Sequence, residues 1–346
     1  MRKEYDIVYL TDTPSFYKVK HFNEVAKSAR VLMVFNHYSA TAVNADVSSG
    51  KLNFDTVFLH RGASGNRNKF ATFFRLMTLL HDVKWHWLLY AGWKDPEYLL
   101  CSLLMPRKRN AIVCESTIYE SSVRGLRGLA KRLILARMNA ALPSGEPHKQ
   151  IFDSLGYKGR IIVTGGVGLM DKSGVKLNRI ANSPLRYIYV GRLVDVKNVG
   201  LLIDVFNKNG KPLTIVGRGL LENQLKAKAN SNITFTGFID NDKLFEIYQQ
   251  HDVFVLASKS EPWGLVVEEA LYWGLPVIVS DVVGCSVDLV KNYGSGCTFR
   301  SRDAQSLDEA VEEMELNYES YRAAVDKIDW EARHSQQVAA FLSLLN

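Results

Sequence analysis

The sequence predicts an α/β chain of two doubly wound domains, each built on a parallel sheet. Three observations carry this. At 346 residues and about 150 residues per domain, two domains are expected. Short apolar runs alternate with helical stretches along most of the chain, the pattern of strand–helix–strand units. The stretch 165–184 is rich in Gly, Ser, Lys and Asn and has no apolar period, so it reads as a linker. The predicted organisation is a first domain over 1–168, a linker over 169–184, a second domain over 185–328 and a terminal helical segment over 329–346.

In the first domain, strands are predicted at Asp6–Leu10, Val31–Phe35, Thr56–Leu59, Trp87–Tyr90, Ala111–Cys114, Asn139–Pro143 and Ile161–Thr164. Helices are predicted at Phe22–Ala29, Lys69–Leu80 and Gly145–Leu155. In the second domain, strands fall at Tyr187–Val190, Leu213–Val216, Ile233–Phe235, Val253–Leu256, Val277–Ser280 and Cys297–Phe299. Helices between them cover Val199–Asn207, Leu220–Ala229, Lys243–Gln249, Leu265–Trp273 and Cys285–Val290, followed by Leu307–Leu316 and an amphipathic Trp330–Leu345. The run Asp252–Ala257 is almost continuously apolar, as a strand buried on both faces of a parallel sheet must be.

Composition narrows the functional classes. The chain is 47% hydrophobic and 23% charged, ordinary for a soluble globular protein. No window approaches 18 apolar residues, so a spanning helix is not expected. The start, Met1 to Leu10, lacks the apolar core of a signal peptide. The four cysteines, Cys101, Cys114, Cys285 and Cys297, show no C-x-x-C spacing, which fits buried thiols in a reduced cytoplasmic protein. None of the eight histidines has metal-ligand spacing. The net charge of +7 is concentrated in Pro106–Arg109 and in Arg124–Arg137. There Arg124, Arg127, Lys131, Arg132 and Arg137 alternate with Leu and Ile at helical spacing, as on a helix lying on an anionic lipid surface. The plainer alternative is a surface helix with solvated cations. Nucleic acid is not expected as a partner, because no recognition signature accompanies the charge.

The most informative segment is Ser260 to Ala270. Glu261 and Glu269 stand eight residues apart, the first in a Pro-Trp-Gly loop after a buried strand, the second within the helix that follows. Ligands of open α/β sheets bind in the crevice at the carboxyl ends of strands. Gly264 lets a ligand approach the backbone closely, and the helix it opens offers amides to an anion. On the same helix Glu268 is turned about 100° from Glu269 and reads as the solvated neighbour. Arg192 and Lys197 follow the strand ending at Gly191 and supply a bidentate fork and a point charge for phosphate oxygens. Without the surrounding pattern these would be ordinary surface charges.

The spacing Glu261-x7-Glu269 with Pro262, Gly264 and Leu265 resembles the donor-sugar motif of family 4 retaining glycosyltransferases. Tyr189 to Asn198, Leu213 to Gly219 and Phe235 to Phe238 resemble three more segments of that family, in its order. The likeness covers 185–300 well and the first half more vaguely. It implies the GT-B fold, two Rossmann-like domains facing a central cleft, with a terminal helix packing back on the first domain. It implies a hexosyltransferase that moves a sugar from a nucleotide-sugar, most simply a UDP-sugar, with retention. Gly191, Arg192, Lys197, Gly264 and the amides of Leu265 and Val266 would hold the diphosphate. Glu269 would accept the ribose hydroxyls and Glu261 the sugar hydroxyls. Gly217, Phe238 and Ile239 would lie near the nucleobase, core packing being the alternative for Phe238.

The first domain would take the acceptor, a glycan or a polyprenyl-linked glycan of surface-polysaccharide synthesis such as O-antigen. It departs from the family, having Thr11 to Phe22 in place of a Gly-Gly loop. Ser15 and Tyr17 are candidate acceptor residues there. Glu115, after a strand, stands where many members have a histidine, and a carboxylate there can accept a proton or bind a hydroxyl; a capping or surface role is the alternative. Asp240-Asn-Asp242 resembles a metal motif of another fold, but Asp242 reads as a helix N-cap. No metal and no cofactor are expected. The expected location is the cytoplasm, peripheral on the inner face of the plasma membrane. The rival readings are a nucleotide-sugar or glycan-binding protein without turnover, and another GT-B enzyme such as a UDP-sugar epimerase.

Overall fold

A computed structural model describes residues 2–36, 52–60, 68–169 and 181–346. Most of the predicted linker lies outside these residues. The chain divides into two compact units, Met1–Leu169 with Glu331–Asn346, and Met170–Trp330.

The first unit holds a seven-stranded parallel sheet ordered β3-β2-β1-β4-β5-β6-β7. The strands are β1 (Glu4–Thr11), β2 (Val31–Phe35), β3 (Asp55–Phe58), β4 (Lys84–Ala91), β5 (Asn110–Cys114), β6 (Ala140–Pro143) and β7 (Arg160–Ile161). Side chains alternate across this sheet, so it carries two cores. Val8, Leu10, Leu32, Val34, Leu88 and Tyr90 pack on one face; Ile7, Tyr9, Val31, Met33, Leu89 and Ala111 pack on the other. The described helices are α1 (Phe16–Val25), α2 (Lys69–Asp82), α3 (Pro96–Leu104), α4 (Gly125–Leu135) and α5 (Glu146–Leu155).

The second unit holds a six-stranded parallel sheet ordered β10-β9-β8-β11-β12-β13. Its strands are β8 (Tyr187–Val190), β9 (Leu213–Val216), β10 (Ile233–Gly237), β11 (Val253–Leu256), β12 (Val277–Ser280) and β13 (Gly296–Phe299). Its helices are α6 (Val199–Asn209), α7 (Glu222–Lys228), α8 (Leu244–Tyr248), α9 (Leu265–Tyr272) and α10 (Ala304–Asp326), with a π-helical turn over Ser286–Lys291. Every residue of β11 and β12 is buried, as the near-continuous apolar runs require. In both sheets the winding reverses beside the first strand, between β1 and β4 and between β8 and β11. Those reversal points open the crevices where ligands bind in such sheets.

Several boundaries differ from expectation. The first helix runs Phe16–Val25 rather than Phe22–Ala29, because Pro14-Ser15 ends the preceding loop and Ser15 is its extended N-cap. Its buried face is Val19, His21, Phe22 and Val25. Strand β7 spans only Arg160–Ile161, not Ile161–Thr164. Helix α10 continues to Asp326, since no Gly or Pro interrupts Leu316 to Asp326. The helix predicted over Cys285–Val290 is the π-helical turn. Asp242 is not the cap of α8: it lies in a 3-10 turn over Asn241–Lys243 and Lys243 takes the cap position, with no side-chain cap bond.

The last helix, α11 (Trp330–Leu342), supplies part of the first unit's core. Phe341 stacks edge-on against His21 and Phe22, at 4.8 and 5.3 Å between ring centroids, and Arg333 donates to the Gly165 carbonyl at 2.6 Å. His21 is 3% exposed and neither ring nitrogen has a hydrogen-bond partner. Burial, with the nearby His334, pushes its imidazole down to about 3. The unfolded chain takes up this proton near the usual 6.5, the native state only near 3. Stability is therefore whole above pH 6.5 and falls as the pH drops toward 3, by up to about 1.4 kcal/mol per pH unit. His21→Leu is expected to flatten this acid slope in melting curves recorded from about pH 7 to 4. Equal slopes in both proteins would remove His21 as the cause.

All four cysteines are buried and outside any disulfide. Burial pushes Cys101, Cys114 and Cys297 up to about 12, so they sit as inert core thiols. Among the described residues no helix is long and apolar enough to cross a membrane.

Candidate active site

The second unit's crevice is built from three loops that follow β8, β9 and β11. Gly191 at the end of β8 donates to the Val216 carbonyl at 3.0 Å, and Leu193 donates to Arg218 at 2.9 Å. Gly217 in turn donates to the Gly237 carbonyl at 2.8 Å. The ends of β8, β9 and β10 are thus tied side by side. Arg192 is exposed beyond its strand, and Tyr189 fixes the turn by donating its hydroxyl to the Arg192 carbonyl at 3.0 Å.

Lys197 closes a 3-10 turn over Asp195–Lys197, after which Asn198 adopts the left-handed conformation (φ 55°) that Asn tolerates better than most residues. This turn is fastened to the loop after β11. The Lys259 amide donates to the Val196 carbonyl at 2.8 Å, and the Lys259 ammonium meets Asp195 at 2.7 Å. Lys197 and Glu261, 64 residues apart, form an ion pair with side chains only 15% and 13% exposed. Ser258 donates to the same Glu261 oxygen at 3.2 Å. The Glu261 backbone is pinned as well, its carbonyl accepting from Gly284 at 2.9 Å.

Gly264 caps α9 at φ 99°, ψ 60°, and a Cβ there would lie 3.1 Å from Val283 and 3.3 Å from Val267. Leu265 and Val266 open the helix, where amides have no intrahelical acceptor and the dipole favours an anion. Glu269 is half-buried and accepts a long bond from the Tyr248 hydroxyl at 3.5 Å. Burial, then the Glu269 carboxylate, holds that phenol well above its usual range. Phe238 is 64% exposed, so it is a free aromatic face at the end of β10 and not a core residue; Ile239 beside it is half-buried.

Glu268 departs from expectation. It is completely buried and accepts a hydrogen bond from the Trp263 indole at 3.1 Å. The buried arc of α9 takes in Val267, Glu268, Ala270 and Leu271, and the tryptophan N–H satisfies the carboxylate. This pair braces the loop that carries Glu261 and Gly264. The sequence signal was present: an indole donor five residues before a carboxylate.

The first unit has its own crevice, a cavity of about 480 Å³ beyond the carboxyl ends of β1, β4 and β5, lined among others by Asp12, Lys18, Trp93, Lys94, Glu115, Arg127 and Lys131. Glu115 pairs with Lys18 at 2.9 Å. Burial alone would lower the Lys18 ammonium, but Glu115, Tyr9 and Tyr17 hold it well above its usual value. Ser15 and Tyr17 begin α1 next to this wall but do not line the cavity. Lys18 and the adjacent pair Trp93-Lys94 were not singled out from the sequence; the lysine and the pair lie far apart in the chain, so no local spacing joins them.

The basic stretch forms α4 and the residues flanking it. Arg127 and Lys131 border the cavity, while Arg132 and Arg137 donate to the carbonyls of Leu155 and Met105 at 3.4 and 3.0 Å. Arg124, Arg127 and Arg132 are exposed, and the leucines of α4 face solvent with them: Leu126, Leu129 and Leu133 are 86%, 51% and 61% exposed. Asp240 and Asp242 are both exposed. Among the described residues no three His, Cys, Asp or Glu converge as a metal cage.

Residues 176–328 match the family model described as glycosyl transferases group 1. The O-antigen biosynthesis glycosyltransferase WbnH of Escherichia coli is 30% identical over 184 residues, covering 52% of this chain and 51% of WbnH. The chain spans between 31% and 51% of the lengths of four curated relatives it matches. Among solved structures, the lipopolysaccharide outer core galactosyltransferase WaaB in its apo form superposes with a TM-score of 0.72 at 14% identity, over 98% of this chain and 99% of that one. Anabaena HepE in complex with UDP-glucose gives 0.66 at 15% identity, over 98% and 99%. At these identities the likeness is one of fold: two parallel-sheet Rossmann-like domains, as in glycosyltransferases of GT-B fold.

Proposed function

We propose that this chain is a retaining hexosyltransferase that moves a sugar from a UDP-sugar to a glycan or lipid-linked glycan in surface-polysaccharide assembly. The observation that carries this is the meeting of Lys197 and Glu261 across 64 residues at the β8/β11 reversal, beside Arg192, the α9 amides and Glu269. In the reaction the bond from the anomeric carbon to the diphosphate oxygen breaks, and a bond from an acceptor hydroxyl oxygen forms. Negative charge gathers on the leaving diphosphate, where Arg192, Lys197 and the first amides of α9 stabilise it. Glu261 accepts hydrogen bonds from the sugar hydroxyls and Glu269 from the ribose, while Phe238 and Ile239 flank the base. The first unit takes the acceptor, with Glu115 as the group that receives its hydroxyl proton.

The WbnH likeness supports the O-antigen class of acceptor, and HepE, solved with UDP-glucose, supports the UDP-linked donor. The test is incubation with UDP-, GDP- and dTDP-sugars, following slow donor hydrolysis with and without excess EDTA. Hydrolysis of a UDP-sugar that survives EDTA is expected, because the cations and helix amides take the place of a metal at the diphosphate. Loss with EDTA restored by Mn²⁺ would return Asp240 and Asp242 to consideration. Tight binding with no hydrolysis of any donor would favour a binding protein.

The same reading places the enzyme at the cytoplasmic membrane face. Helix α3 packs between α2 and α4, and these three expose Phe70, Phe74, Leu100, Leu103, Leu104, Leu126, Leu129 and Leu133. Arg107, Lys108 and Arg124 stand exposed at the helix ends, matching an anionic lipid surface. The protein is expected to sediment with anionic vesicles, and Leu129→Ser with Leu133→Ser to release it. Retention of the double variant would show that these leucines do not enter the bilayer.

A further inference from the structure

The cavity at the β1/β4 reversal contains two cations that the donor site does not use. Arg127 and Lys131 are one helical turn apart on α4 and both border it. Among the described residues neither forms an ion pair. Lys131 donates to the Ser121 hydroxyl and, at 2.9 Å, to the Ser122 carbonyl, and its ammonium lies 5.4 Å from the centre of the Trp93 ring. Of the four carboxylates of the wall, Glu115 pairs with Lys18 at 2.9 Å and Asp12 with Lys94 at 2.6 Å, Glu120 accepts from the Thr117 amide at 3.3 Å, and Asp95 is buried at the start of α3. Burial lowers the Lys131 ammonium from its ordinary value; the Cys114 sulfur opposes this and the Arg127 charge adds to it. A pair of cations that the protein itself leaves unneutralised is a site for an anion. Two charges beside the Ser121 and Ser122 hydroxyls fit a phosphate, with its several acceptor oxygens, better than a single carboxylate.

We propose that the cavity between Lys18, Glu115, Arg127 and Lys131 binds the phosphate of a phosphate-bearing acceptor, with Arg127 and Lys131 as its ligands. This names the acceptor class and so rests on the transfer reading. The phosphate can be that of an isoprenoid-linked sugar or of a soluble sugar phosphate. In the first case the apolar tail would leave along the solvent-facing leucines of the same helix.

The test is binding, so it does not depend on turnover. With the donor site held saturated by UDP, inorganic pyrophosphate is titrated calorimetrically into the wild type, Arg127→Gln, Lys131→Gln and Arg127→Lys. Each Gln variant is expected to weaken pyrophosphate about tenfold, and Arg127→Lys to restore most of it. Far-UV circular dichroism and melting curves check that the first unit is folded. Farnesyl diphosphate and glucose 1-phosphate are titrated next. Tighter binding of the isoprenoid assigns a lipid-borne acceptor and tighter binding of the sugar phosphate a soluble one; both uphold the phosphate site. No pyrophosphate binding beyond UDP saturation, or the same affinity in a folded Arg127→Gln protein, overturns it. Donor hydrolysis in that same protein would show that the transfer reading survives without it.

Discussion

Glu261→Ala is expected to lower turnover by about 100-fold, the scale of losing one group aimed at the developing charge and the sugar hydroxyls. Its affinity for UDP is expected to hold or rise, because Lys197 loses the carboxylate that it pairs with at rest and is freed for the diphosphate. Glu269→Ala should do the opposite. It should weaken UDP by about 1.5–3 kcal/mol, a hydrogen bond to a charged group, and leave the chemical step of bound donor less affected. Calorimetric titration of both variants with UDP, beside single-turnover hydrolysis, separates the two. Equal losses of UDP affinity would show that the roles of the two carboxylates are assigned wrongly.

The second large effect belongs to the backbone. Gly217 stands at φ 130°, and a Cβ there would lie 1.9 Å from the Gly191 carbonyl oxygen. Gly217→Ala must therefore break the seam between β8 and β9 that sets Gly191 and Arg192 in place. A loss on the order of 3 kcal/mol or more is expected, which lowers the melting midpoint by roughly 6–12 °C. Gly200 gives the contrast: it lies within α6 and its nearest neighbour would be a flexible lysine end at 3.8 Å. Gly200→Ala should stabilise by about 0.5–1 kcal/mol. A Gly217→Ala protein as stable as wild type, with UDP affinity intact, would show that the seam yields freely.

Much of the second unit was legible because its informative residues are local. A strand, a loop, a helix and both carboxylates all fall between Val253 and Tyr272, and each local preference agrees with the next. Four of the six strands of that sheet, Tyr187–Val190, Leu213–Val216, Val253–Leu256 and Val277–Ser280, were predicted to the residue. Glu268 was misread for a physical reason. Helical angle separates neighbours but does not say how wide the buried arc is, and here a tryptophan donor makes burial of a carboxylate tolerable. The first unit was less legible. Its cavity draws on Thr11, Lys18, Trp93, Glu115 and Lys131, five segments joined only by the order of strands. On α4 the alternation of cations and leucines was plain, but not that both would stand exposed, since only Gly128 and Leu135 are its buried positions. The start of α1 was missed because a Pro-Ser entry with an extended cap looks like loop until the helix behind it is seen.

The return of α11 to the first unit has a consequence for how the chain is made. Phe341 and Leu344 belong to the same apolar cluster as Val19, Phe22 and Val31, so this core is assembled from the two extremities of residues 2–346. On the ribosome, the whole of 170–330 emerges before those side chains do. At about 5–20 residues per second, that delay is roughly ten to thirty seconds. Throughout it the first unit presents an open apolar seam around Phe22, although all of residues 2–169 are already made. The seam is a natural address for a chaperone, and shortening the chain before Phe341 should turn a transient exposure into a lasting one.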